Sequence, residues 1–250
     1  MDALKPFDLA FHRLLFDRPH RERVASGERS EIGPMADEFA NLDMVELDLL
    51  AKAIRDGLVR GSLGGLGIGD NFAGTIVALG ATTNDVVDRF LADTVSQYQG
   101  KLPIDCTGRR AGVSVLESFY EWAATQFGQR PEELCRAQQE LAAALLTALA
   151  RTPHPGFLVA WPLLHAGAHG WYCILDAAGP LSGAQNRPRE PIVFAAIRGR
   201  YIRGRVSTTL AAVILGCANR PPDWVAEQLL QIPAELLNVA RTALVRRGLL

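Results

Sequence analysis

At 250 residues the chain can bury one large core or two smaller ones, and two domains is the better expectation. Its net charge of −1, with 48% hydrophobic and 21% charged residues, excludes an overall drive toward a polyanion and leaves only local basic clusters to supply one. The four cysteines (Cys106, Cys135, Cys173, Cys217) form no C-x-x-C pair, which argues against a zinc ribbon or thioredoxin-like site and fits buried, reduced thiols.

The opening residues carry Asp2 and Asp8 and lack a signal-peptide pattern. The alanine-rich run around Leu141 to Leu149 is too short to cross a bilayer, so a cytoplasmic protein with no membrane partner is expected. Phe7, Phe11, Leu14 and Leu15 share one helical face. Asp43 with Glu46 forms a capping pair for a helix that lines up Leu47, Leu50, Ile54 and Leu58 and stops at Gly61. The run GSLGGLGIGDN (61–71) follows. A dinucleotide fingerprint needs a preceding strand and G-x-G-x-x-G spacing, and neither is present, so the run predicts a helix stop and a turn, with Asp70 or Asn71 capping a helix over 72–79.

Val86, Val87, Phe90 and Leu91 predict a further helix. Ser114 with Glu117 is a capping box for another, which places Leu116, Phe119, Tyr120, Ala123 and Phe127 on one side and ends at Gly128. Pro131 opens a long helix through Leu134, Leu141, Leu145 and Leu149.

Beyond Arg151 the period changes. TPHPGF breaks the helix; FLVAW and WYCIL read as short strands; LSGAQNRPREP (181–191) is a polar loop; IVFAAI and RYIRGRV are two strands joined by a hairpin turn at Arg198-Gly199-Arg200. Three short helices complete the chain. The first carries Val206, Leu210, Val213, Ile214 and Cys217, the second opens at Pro221-Pro222-Asp223, and the third buries Leu236, Leu237, Ala240 and Leu244. The pattern predicts an α+β protein, with a helical domain over 1–152 and a winged-helix-like unit, sheet first and then three helices, over 153–250.

Such a unit has two uses. It can place its last helix in the DNA major groove, but here that helix begins PAELLNVARTALV, with Glu235 at its leading end and no basic residue before Arg241. A winged-helix DNA-binding regulator stands as the alternative reading, with Arg198, Arg200, Arg203 and Arg205 as a wing. The other use is capture of an extended peptide as an added strand. Arg200, Tyr201, Ile202, Arg203 and Arg205 on the last strand, with Leu237, Arg241 and Leu244 on the last helix, would line that groove. The arginines would suit an acidic peptide, and Ile202 would offer a backbone donor. The competing explanation is that Tyr201 and Ile202 are sheet core and the arginines a solvated edge that blocks aggregation.

Three segments of the helical half, LVRGSLGGLGIGDNFAGTIVALG (58–80), GVSVLESFYEWA (112–123) and LLTALARTPHPGF (145–157), precede this unit in order. Together with the opening FHRLLFDRPHRERV they resemble the partner proteins of multinuclear non-heme iron oxidative enzymes. Those enzymes modify ribosomally made peptides, as in methanobactin and 3-thiaglutamate biosynthesis. The resemblance covers most of the chain through motifs of matching type and order, with no invariant catalytic signature. It implies a non-catalytic subunit in which the helical region docks on the iron enzyme and the C-terminal unit, similar to a RiPP recognition element, holds the precursor's leader peptide. Iron would reside in the partner, and this chain would carry no cofactor, no metal and no catalytic residue, and bind no nucleic acid.

Other constellations read as structural. His165-x-x-x-His169 has a spacing that would pair two imidazoles on a helix, but Gly167 and Gly170 interrupt it and no further ligand stands nearby in sequence. Asp43, Glu46 and Asp48 are explained by capping and solvation, Ser114 by its cap, and Cys173 by burial in a strand.

Overall fold

The computed structural model describes the fold over residues 6–28, 39, 42–61, 67–97, 115–151 and 161–246. The helical part comprises α1 (Pro6–Phe16), α2 (Arg18–Ala25), α3 (Met44–Arg60), α4 (Ile68–Asn71), α5 (Ala73–Ala78), α6 (Thr83–Gln97), α7 (Val115–Phe127) and α8 (Pro131–Arg151). Then come β1 (Leu164–Gly167), β2 (Gly170–Asp176), β3 (Pro191–Ile197) and β4 (Arg200–Arg205), followed by α9 (Thr208–Leu215), α10 (Asp223–Leu230) and α11 (Ala234–Arg246). The architecture is therefore α+β: a helical region, a small antiparallel sheet and three more helices. The chain forms two compact units, Met1–Gly108 with Gly112–Trp122, and Arg109–Ala111 with Ala123–Leu250. The predicted strand FLVAW and the cap Ser114 lie outside the described residues, apart from Trp161, which is not in a strand.

In the first unit the opening helix is broken in two. Asp17 caps α2 by accepting the His20 N–H at 3.0 Å, and Pro19 sits in the first turn of α2, where its missing N–H costs nothing. Arg21, buried on α2, donates to the Leu14 and Leu15 carbonyls at 3.0 and 2.7 Å, which the end of α1 leaves without helical partners, and to Asp48 of α3 at 2.7 Å. Asp43 caps α3 through the Val45 and Glu46 amides, and Gly61 ends it in the left-handed region at φ 70°. A Cβ on Gly67 would run into the Val59 carbonyl, so α4 can start against the end of α3 only from a glycine.

Neither Asp70 nor Asn71 caps the next helix. α4 begins before them, Phe72 forms the break, and the Asn71 side chain donates to the Gly67 carbonyl at 2.7 Å. Phe72, Phe90, Phe119 and Trp122 fill the core, with edge-on centroid separations of 4.9 Å (Phe72–Phe119) and 5.4 Å (Phe90–Phe119). The Trp122 indole N–H donates to Asp93 at 2.8 Å.

The second unit is built on a sheet of order β1-β2-β3-β4, antiparallel throughout. All seven residues of β3 are buried, because both faces are covered. Tyr172, Ile174, Val193, Ala195, Ile197 and Ile202 face α9, with α10 and α11 completing that layer. Cys173, Leu175, Phe194 and Ala196 alternate to the other face, which α8 covers against β2, β3 and β4. Helix α8, which the sequence pattern assigns to the helical half, thus packs with the sheet: its apolar stripe through Leu141, Leu145 and Leu149 is long enough to cover a sheet face. The β3–β4 turn has two residues, Arg198 and Gly199, at φ 50° and 76°, the positive values that a primed hairpin turn requires.

Asp176 closes β2 and holds the following loop. Its Oδ1 accepts the Ala178 and Glu190 amides at 3.0 and 2.9 Å, and its Oδ2 accepts the Arg189 amide at 2.8 Å. Burial on its own would raise this carboxyl's pKa, but the three amide bonds outweigh it and hold the pKa below the usual range. Its stabilisation is therefore complete above the unfolded pKa and disappears as pH falls through the lowered folded value. Asp176→Asn is expected to cost about 1–3 kcal/mol in urea unfolding at pH 7 and to reduce the loss of stability between pH 5 and pH 3. A variant with wild-type unfolding at both pH values would contradict this role.

Candidate functional site

A sheet with both faces covered offers polar backbone only at its edges. The β1 edge is engaged: Gly167 bridges Ala218, and the Asn219 amide donates to the Ala166 carbonyl at 2.7 Å. The β4 edge pairs with no strand among the described residues. The Val206 N–H donates to the Pro191 carbonyl at 3.1 Å, directly beyond the β3–β4 register Ile192↔Arg205. Alternation along an antiparallel ladder then turns the backbone groups of Gly204, Ile202 and Arg200 toward β3, and those of Tyr201, Arg203 and Arg205 outward. The expected donor Ile202 is thus committed to the ladder, and its odd-numbered neighbours hold the row that has no strand partner among the described residues.

Beside this edge lies an apolar groove of about 180 Å³. Val193, Ala195 and Ile197 form its floor, Ile202, Gly204 and Arg205 one side, and Val206, Leu210, Ile214 and Leu244 the other. Gly204 opens it: Gly204 is paired with Val193, and a Cβ built on it meets nothing within 4 Å.

Of the residues the sequence singles out, Ile202, Arg205 and Leu244 come together in this lining. Leu237 packs half-buried against the same core, while Arg241 lies exposed on α11. Arg200 and Tyr201 are exposed near the hairpin turn. Arg203 turns to the α8 face, donating to Gln139 at 3.0 Å with its guanidinium 5.1 Å from the Phe194 ring centroid. Leu236, predicted as core, is 60% exposed, because the inward stripe of α11 runs instead through Leu237, Ala240 and Leu244. The groove residues that the sequence reading missed are Gly204 and the alternate β3 residues Val193, Ala195 and Ile197. A glycine inside an otherwise bulky edge strand was the available signal.

His165 and His169 do not share a helix. His165 lies in β1, opposite Tyr172, and His169 in the β1–β2 turn. Two glycines and two alanines in HAGAHG make this segment poor in strand signal, yet its first three residues, with Leu164, pair with β2. No group of three or more His, Cys, Asp or Glu suited to a metal occurs among the described residues. Burial pushes the Cys173 thiol far above its ordinary pKa and raises that of Cys217, so both are held as neutral thiols.

Burial lowers the His165 pKa, against an opposing bond to the Arg220 backbone. The fold therefore favours neutral His165. Its contribution is complete above the ordinary histidine pKa and falls away as pH drops through the lowered folded value. Unfolding midpoints measured at pH 7.5 and pH 5 are expected to differ less in His165→Gln than in the wild type; an equal difference in both would remove this assignment.

Comparison of the chain with protein-family models, curated proteins and solved structures returns no match, so the reading of function rests on the edge strand, the groove and the charges described above.

Proposed function

We propose that the protein is a peptide-binding partner subunit that captures an extended segment as a fifth strand on β4. The observation that carries this reading is the coincidence of two features: an edge strand with an outward row of backbone donors and acceptors, and an apolar groove beside it that reaches α11. An added strand would bond to Tyr201, Arg203 and Arg205 and lay alternate side chains over the gap at Gly204. The exposed arginines of the hairpin favour an acidic peptide through charge-assisted contacts.

The resemblance to partners of multinuclear iron oxidative enzymes supplies the biological form of the proposal. The bound segment is the leader of a ribosomally made precursor, the β4–α11 region acts as a RiPP-recognition-like winged helix, and a separate iron enzyme performs the oxidation. Tethering raises the local concentration of the core peptide at that enzyme. An acidic first turn at Glu235 on α11 favours this reading over insertion of α11 into a DNA groove.

The direct test is to identify the genes adjacent to this one and, where they encode a multinuclear iron enzyme and a precursor peptide, to co-purify the chain with that enzyme and titrate it with a synthetic leader; neighbours of neither kind would count against the proposal. Absence of both interactions would sink the proposal. Within the groove, Arg203→Pro removes an outward N–H at an edge position that tolerates proline, and should weaken leader binding at least tenfold while the fold persists. Ile202→Pro removes a ladder bond to β3 and is expected to lower the unfolding midpoint instead. Unchanged affinity in folded Arg203→Pro would move the peptide elsewhere.

A further inference from the structure

In the first unit α1, α2, α3 and α6 enclose a second cleft, of about 220 Å³, that strand addition does not use. Four cations, Arg18, Arg21, Lys52 and Arg55, line it together with two carboxylates, Asp48 and Asp88. The carboxylates are already engaged. Asp48 accepts from Arg21 at 2.7 Å, and Asp88 accepts from the Arg55 Nη1 at 3.1 Å. Outside the lining, Glu22 takes the Arg18 Nε at 2.9 Å.

Two cationic donors make no hydrogen bond among the described residues. The Arg55 Nε is buried and lacks one, although it forms an ion pair with Asp56 at 3.5 Å. Lys52, one turn from Asp48 on the same helix, has no carboxylate partner among the described residues. A buried guanidinium donor without an acceptor costs free energy that an incoming oxygen would recover. Within the lining the cations outnumber the carboxylates by four to two, but Glu22 and Asp56 just outside it pair with Arg18 and Arg55, which leaves Lys52 as the surplus charge and matches a singly charged oxyanion. Guanidinium groups with an ammonium beside them favour phosphoryl oxygens, through forked and point-charge donors respectively. The cleft is smaller than the roughly 300–1,000 Å³ of sites that enclose a whole drug-sized ligand, so it suits a phosphoryl group with little attached.

We infer that this cleft is an oxyanion site that binds a phosphoryl group, free or carried on a small molecule, through Arg55 and Lys52, with Arg21 fixing its wall. The site is independent of the β4 groove, and its success or failure leaves the peptide proposal untouched.

The test is thermal unfolding and calorimetry of the full chain titrated with inorganic phosphate at constant ionic strength, sodium chloride being the matched control. A saturable rise in Tm that chloride does not reproduce is expected. The apparent Kd should weaken at least tenfold in the Lys52→Gln, Arg55→Gln double variant and stay unchanged in Arg136→Gln, an exposed cation on α8. Should the double variant not fold, Lys52→Gln alone, at an exposed position, carries the test with at least a threefold loss. Glycerol phosphate distinguishes the two sources: tighter binding than inorganic phosphate identifies an esterified ligand, and equal or weaker binding the free anion. No saturable shift, or one that the variants retain in full, overturns the inference.

Discussion

Hydrogen-bond satisfaction at the sheet edges is the constraint on which the second unit depends. A strand in the middle of this sheet spends its amides and carbonyls on its neighbours, and its side chains on helices above and below. The outermost strands cannot. On one side the link between α9 and α10 folds back and takes up part of the β1 edge through Ala218 and Asn219. On the other side the chain turns from β4 into α9 and leaves a row of backbone groups facing outward. The functional reading follows from that asymmetry.

Several polar side chains are engaged in holding backbone. Asp176 collects three loop amides, Asp43 caps α3, and Arg21 takes the last carbonyls of α1. Gln138 does the same inside the second unit: its amide donates to the Leu181 carbonyl at 2.6 Å and accepts the Leu181 N–H at 2.9 Å, tying α8 to the loop after β2. A buried polar side chain bonded on both sides is locked in place and fixes the loop against α8.

Much of this organisation is legible in the residues because it is local. Asp43 and Gly61 bracket α3, Gly128 ends α7, Pro131 opens α8, and β2, β3 and β4 follow from runs of β-branched and aromatic residues. What escapes is decided by contacts distant in sequence. His165–Gly167 become strand because β2 lies beside them, and α8 joins the sheet because its stripe meets β2, β3 and β4. Leu236 is apolar and periodic, yet the roll of α11 about its axis leaves it outside. The groove was half legible: Ile202, Arg205 and Leu244 carry side chains that announce themselves, whereas its floor depends on register, which periodicity does not reveal.

Gly204 carries a further consequence, for how variants of this chain would be selected. Glycine inside a strand is entropically unfavourable and packs against nothing. Its backbone is not in the left-handed region, and a side chain there would project into open space above Val193. Valine or isoleucine at 204 would therefore both stiffen β4 and close the opening over the apolar floor. Selection for heat resistance alone would favour such a replacement, while selection for an open groove would reject it. The position is one where gain in stability and loss of access are the same physical change.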